Sequence, residues 1–276
     1  MKRYRVLQFD YDTRATVLSL KIEEDWEPKV RQLQERNREV IKAGLVQQYG
    51  ELDADAKIEN FVALGAKPLS VLAFHNKFAE QVRSAFVVGG YYPALTGSCS
   101  LGERILNHLV RTLRQDFSSS TEFKKVASKD SFDNWNVAID VLQAWNVLLP
   151  DVVANFRDLW KLRWRAVHFD PATDHNDRAL ALDAIKLLGV IIEAQFGVWG
   201  SQPWLLLLPG ESYIAKDAEP NPFVRHVYLP NCCLVGPRHT LALHDHQFIV
   251  QDEFLYENRE IADDEFRVLR GELKRG

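Results

Sequence analysis

Cysteine is scarce in this chain and wrongly spaced for a disulfide framework. Only Cys99, Cys232 and Cys233 are present, whereas a disulfide-stapled domain carries more at regular spacing. Cys232 and Cys233 are adjacent, and a trans peptide holds their Cα atoms closer together than ordinary disulfide geometry allows. A reducing compartment is expected. Long hydrophobic runs are lacking too. The start, MKRYRVLQFDYDT, has no apolar core of a signal peptide, and no run approaches the roughly 20 residues that cross a bilayer. The expectation is a cytoplasmic protein with no membrane partner. Positive charge is not in excess either, because the formal net charge is -4. A nucleic-acid surface would therefore be a local patch. Repeats and low-complexity tracts are absent.

What is present suits an ordinary globular protein. The chain is 46% hydrophobic and 26% charged over 276 residues, enough for a sizeable core in one or two domains. RYRVLQF and ATVLSLKI read as two short strands joined around Asp12 and Thr13, which makes an N-terminal β-hairpin with Asp10 and Asp12 at its turn. An amphipathic helix follows from about Glu27 to Gln48, ended by Gly50, and ELDADAKIENFVALGAKPLS reads as a connector with one short helix. From Leu69 to Gly197 the periodicity is helical, with helices expected near 70–88, 93–116, 134–148, 151–168 and 177–196. The last, RALALDAIKLLGVIIEAQF, is apolar nearly all round and is expected to be the central one. After Gly200, the runs LLLL, FVRHVYL, CCLVG, HTLAL, FIVQ and EFLY look like short strands, closed by a helix DDEFRVLRG. The expected class is α+β, with a mainly helical core at 67–200, an N-terminal hairpin and helix at 1–66, and a small β-rich module at 201–276.

One helix carries a misplaced charge. On a wheel of residues 156–168, Phe156, Leu159, Trp160, Ala166 and Val167 share a broad arc, with Leu162 and Trp164 at its edges. Arg157, Lys161, Arg165 and His168 gather on the opposite side, but Arg163 points into the middle of the apolar arc. A guanidinium keeps its proton, so a partner must meet it: a carboxylate, a carbonyl, a second subunit or a phosphate. Glu103, Asp140, Asp183 and Glu193 are the carboxylate candidates, Glu103 first. His168 falls in the last turn before Asp170-Pro171, where the helix C-terminus favours a protonated imidazole. An ideal helix turns Arg163 and His168 about 140° apart. One shared site therefore needs a loosened helix end or a second subunit.

R-W-R-A-V-H, residues 163–168, fits the R-x4-H signature of the HEPN (higher eukaryotes and prokaryotes nucleotide-binding) family. The helix YYPALTGSCSLGERILNHLVRTL before the motif and the apolar helix after it extend the likeness. Residues of about 70–197 thus resemble this family of compact helical domains, many of them metal-independent ribonucleases. The resemblance implies Arg163 and His168 as catalytic residues in a two-fold homodimer acting on RNA with no metal or cofactor; Glu103, from its place on the neighbouring helix face, and Arg165 are expected to support them. It also implies a bacterial toxin or phage-defence role. The family usually has a polar residue directly after the arginine, where this chain has Trp164. That departure keeps the other kind of family member in view, a non-catalytic module binding nucleotide, RNA or protein, with the C-terminal module as a docking surface.

In the segment 101–114, Arg104, His108, Arg111 and Arg114 lie opposite Leu101, Ile105, Leu109 and Leu113. They read either as a solvated face or as a phosphate-binding strip working with Arg157, Lys161 and Arg165. Asn107 lies close enough to help position a ligand. Asp10 and Asp12 lack the spacing and following helix of a phosphotransferase pattern. Cys232, Cys233, His239, His244 and His246 are metal-ligand types without zinc-site spacing, and Ser98 and Cys99 lack a nucleophile elbow or a paired base.

Overall fold

The computed structural model describes residues 1–71, 75–132, 134–167, 171–244 and 247–273. Its strands are β1 (Arg3–Val6), β2 (Asp10–Asp12), β3 (Lys67–Ser70), β4 (Leu205–Leu208), β5 (Glu211–Ile214), β6 (Cys232–Val235), β7 (Thr240–His244) and β8 (Gln247–Gln251). The helices are α1 (Arg14–Ser19), α2 (Pro28–Tyr49), α3 (Ala54–Leu64), α4 (Asn76–Val87), α5 (Tyr91–Leu113), α6 (Phe123–Val126), α7 (Trp135–Ala144), α8 (Pro150–Val167), α9 (Pro171–Phe196) and α10 (Asp263–Leu273). The class is α+β with a mainly helical core. Among the described residues no helix is long and apolar enough to cross a membrane.

Local chemistry accounts for the helix ends. Pro28 and Pro150 open α2 and α8, where a missing N–H costs nothing and φ is already helical. The Asn134 side chain accepts the Asn136 N–H to cap α7. Gly50 takes φ +85° beyond α2, a left-handed conformation that stops the helix.

The hub of the core is α5, which packs against α4, α7, α8 and α9. Leu101, Ile105, Leu109 and Leu113 are buried along one face of it, as the spacing predicts. The expected central helix, α9, shares that position, lying against α3, α4, α5, α8 and β3, with Val190 left half-exposed. Its apolar circumference is therefore only partly covered.

The N-terminal hairpin does not form. The second expected strand is the helix α1, whose first N–H, on Arg14, is accepted by Asp12 Oδ1, and which buries Ala15 and packs Leu18 on the core. Asp10 and Asp12 are strand residues in β2 rather than turn residues, and β2 pairs antiparallel with β3. β1 lies inside a four-stranded sheet of order β4-β5-β1-β6, antiparallel to β5 and β6. The expected boundary after residue 66 is thus crossed, because the first strand belongs to the C-terminal sheet. Period two sorts the faces of that sheet. Tyr4, Val6 and Ile214 join the main core, while Tyr213 packs with Val235, Ile261 and Phe266 under α10.

Two more expected strands are corrected. FVRHVYL contains a π-helical turn over Val224–Tyr228. Phe223, Val224, Val227 and Tyr228 are all buried, an i, i+1, i+4, i+5 spacing that fits a helix face rather than a pleat. EFLY carries no regular structure, and Leu255 is fully exposed. Strand β5, ESYI, was not expected, since its glutamate and serine hide the apolar alternation.

Candidate functional site

Arg163 finds its partner within the chain. The side chain of Glu103, on α5, meets it across the α5–α8 contact with Nη2 and Oε2 3.0 Å apart. The same carboxylate oxygen accepts the indole N–H of Trp135 at 2.9 Å, and the guanidinium lies 6.0 Å from the Trp135 ring centroid. The arginine is 30% exposed and the glutamate 25%. The pair is thus formed but not shut away from water. Asp140 is not the partner, because it binds Arg157 at 2.9 Å.

A glycine allows this meeting. At Gly102 a Cβ would stand 2.7 Å from Leu159 Cδ2 and 2.9 Å from Trp135 Cη2. Its absence lets α5 settle on α8 and α7, and that approach brings Glu103 to Arg163.

Beside the pair opens a cleft of about 650 Å³, whose lining includes Glu103, Arg104, His108, Arg111 and Arg114 from α5 and its end, with His75 and Asp130. Its far wall is tied to α5 by two side chains. Asn107 donates to the Glu103 carbonyl and accepts the Phe132 N–H at 2.7 Å, so its amide is spent on structure. Arg114 donates to the carbonyls of Val126 and Lys129. Arg104 lies over the Phe78 ring at 4.5 Å. Neither Arg104 nor Arg111 is in an ion pair with another described residue, and among the described residues the carboxylates lining the cleft are Glu103, already facing Arg163, and Asp130.

His75 is the site residue that sequence reasoning missed. Only 7% of it is exposed, and neither ring nitrogen has a hydrogen-bond partner among the described residues. Its ring meets that of His108 edge-on at 5.4 Å. Burial, with the nearby charges of His108 and Arg104, pushes its pKa down to about 4, so it is neutral at pH 7. His108 is lowered too, by burial and then by Arg111 and Arg104. No pattern in VLAFHNKF could have announced this role, since only packing places His75 against α5.

The other expected site residues are dispersed. Arg157 and Lys161 sit on the outer face of α8, paired with Asp140 and Asp158, and do not line the cleft. Arg165 is half-buried on the same helix and does not line the cleft either. The expected strip joining them to α5 is therefore not continuous, because the two helices turn those faces apart. His168 lies outside the described residues. Trp164 projects with 57% of its surface exposed.

Ser98 and Cys99 are buried, Ser98 donating to the Ala94 carbonyl, and burial pushes the Cys99 thiol up to about 12. A thiol so raised stays protonated and is a poor nucleophile. Cys232 donates to the Tyr228 carbonyl, and His239 is buried between Arg5 and the Gly236 carbonyl. His246 lies outside the described residues, as does the side chain of His244. Among the described residues no group of three metal-ligating side chains comes together.

Fold and site together define an α+β protein whose helical core holds an arginine–glutamate pair at the edge of a cationic cleft. No family model, curated protein or solved structure matches the chain.

Proposed function

We propose that this chain is a HEPN-like, metal-independent endoribonuclease acting as a homodimer, with Arg163 and His168 as its catalytic residues. The observation that carries the reading is Arg163 itself: a permanent cation on an otherwise apolar arc, oriented by Glu103 and Trp135, still partly open to water, next to a cationic cleft. RNA brings its own nucleophile, the 2′-hydroxyl beside each phosphodiester. In the proposed reaction the 2′-oxygen gives up its proton and attacks phosphorus, the bond to the 5′-oxygen breaks, and that oxygen takes a proton. His168 moves the proton, and Arg163 stabilises charge on the transition state once phosphate displaces Glu103 from it. Arg104, His108 and Arg111 hold a further phosphate of the same RNA. The exposed Trp164 suits a second copy that brings its own motif close. A role as a bacterial toxin or defence effector in the cytoplasm goes with this reading.

The test is cleavage of a mixed RNA substrate in EDTA by wild type, Arg163→Ala and His168→Ala. The wild type is expected to cleave and both variants to lose at least about 100-fold. Equal rates in all three preparations rule the mechanism out. A second reading has its own support, since the Arg163 charge is already met by a carboxylate of the same chain. In that case the core binds RNA, nucleotide or protein without cleaving, and the C-terminal module is a docking surface. Retained RNA binding with no cleavage by the wild type would favour it.

A further inference from the structure

His75 poses a problem of unmet bonding. A neutral imidazole has one donor and one acceptor nitrogen, and here both are buried without a described partner. Each such group left without a partner costs folding stability. It also stands at the inner wall of a cleft that carries Arg104 and Arg111, neither of them ion-paired with a described residue. Donors that lack a partner among the described residues, gathered along one recess, call for an acceptor-rich anion to complete them.

We infer that the cleft is a pocket for the terminal phosphate of a ribonucleotide, a 5′-mononucleotide or the phosphorylated end of an RNA, held by Arg104 and Arg111 with His75 at its inner wall. The choice of a ribonucleotide as carrier rests on the RNA-directed reading above. Three features favour a terminal phosphate over one inside a chain. His75 is more than nine-tenths buried, so it meets only a group that protrudes from its carrier, and an internal phosphate is flanked by sugars on both sides. A terminal phosphate carries a charge of about −1.5 to −2 at pH 7, against one for a diester, which suits paired guanidinium forks. The volume, about 650 Å³, exceeds what bare phosphate needs and falls in the range of about 300–1,000 Å³ typical of small-molecule sites. The groups facing the bound phosphate are Arg104, His108, Arg111 and Arg114 from α5 and its end, His75 before α4, and the carboxylates of Glu103 and Asp130. Glu103 is turned towards Arg163 and Trp135, which leaves Asp130 as the other carboxylate lining the cleft among the described residues.

Isothermal titration of the full chain at pH 7 and low salt tests this, with 5′-AMP, adenosine, inorganic phosphate, and one short RNA in 5′-phosphate and 5′-hydroxyl forms. AMP is expected to bind, adenosine not to bind, and the phosphorylated RNA to bind about tenfold or more tighter than its hydroxyl form. Arg111→Ala, a change at an exposed position, is expected to weaken AMP by about tenfold, and His75→Gln by a similar factor. Adenosine binding as well as AMP, equal affinity for the two RNA ends, or an Arg111→Ala variant with unchanged affinity would each overturn the pocket. Inorganic phosphate binding as tightly as AMP would overturn the nucleotide as carrier. RNA cleavage without AMP binding removes this pocket alone, and AMP binding without cleavage removes the nuclease reading alone.

Discussion

A Cβ at position 102 would press on Leu159 and Trp135 at 2.7 and 2.9 Å, and both neighbours are fully buried. Gly102→Ala is therefore expected to lower the unfolding free energy by about 1–3 kcal/mol, read from urea titration. Gly44 is the control. It lies in α2 with nothing near the added atom, so Gly44→Ala is expected to stabilise by about 0.5–1 kcal/mol. Equal effects at the two sites would show that the α5–α8 approach does not depend on the missing side chain. At this scale the sequence was informative about charge and silent about space. The wheel of residues 156–168 exposes Arg163 as misplaced, and the boundary position of Glu103 makes it the leading partner, which is where the structure puts it. Nothing in the string of letters shows that Gly102 is the residue that lets them touch, or that His75 reaches the same cleft.

Among elements, β1, β5 and α10 are joined by charge as well as by the ladder. Arg270 of α10 donates two hydrogen bonds to Glu211 of β5, at 2.6 and 2.9 Å, and Tyr213 donates a third at 2.7 Å. Arg5 of β1 approaches the same carboxylate at 3.3 Å and donates to His239 Nε2. A carbonyl only accepts, so His239 must donate from Nδ1 to Gly236 and offer the lone pair of Nε2 to Arg5. That bonding requires the neutral ring. Burial alone would raise Glu211, yet the bonds from Arg270 and Tyr213 and the charges of Arg5 and Arg270 take it down to about 2. Burial lowers His239, and Arg270 and Arg5 lower it further against the opposing Gly236 bond.

Both shifts have the same sign for stability. A group whose folded pKa is depressed contributes stability above its unfolded pKa, and that contribution is lost as pH falls. His239 begins to cost stability as pH drops below about 6.5, and His75, lowered to about 4, adds to the same window. Glu211 follows between about 4.3 and 2. The urea midpoint is expected to fall between pH 7.5 and pH 5, before most carboxylates titrate, and His239→Gln is expected to reduce that fall. A midpoint independent of pH over this interval would contradict the neutral assignment of both rings.

Over the whole molecule, the two ends of the chain are stitched into one sheet. β1 sits between β5 and β6, and Arg3, buried beneath α10, binds Asp263 at 2.8 Å and the Ile261 carbonyl. Removing residues 1–6 is expected to strip β5 and β6 of their central partner and to leave Glu211 and Asp263 short of cations. Amides of β4, β5, β6 and α10 should then exchange rapidly in deuterium labelling while α5 and α9 stay protected. Uniform protection in the shortened chain would show that the C-terminal sheet stands without β1. This long-range closure is why the hairpin expectation failed. RYRV alternates as a strand should, but its partners lie more than 200 residues along the chain, beyond any local pattern. The same limit hid β5, whose Glu211 is apolar in effect only because Arg5 and Arg270 neutralise it.

By itself the sequence determined the features that depend on neighbours within a few residues. These are the helix spacing of α2, α5, α8 and α9, the prolines and glycines that bound them, and the class of fold they imply. It also marked Arg163 as a charge in need of an answer, since side-chain direction along a helix follows from backbone geometry alone. Only the tertiary structure decided which groups meet. It joined Glu103 and Trp135 to that arginine, placed His75 without a described hydrogen-bond partner at the wall of a cationic cleft, and turned Arg157 and Lys161 away to other carboxylates. Such meetings depend on how closely helices approach and on which strand fills which gap, and those outcomes are set by packing between segments far apart in the chain.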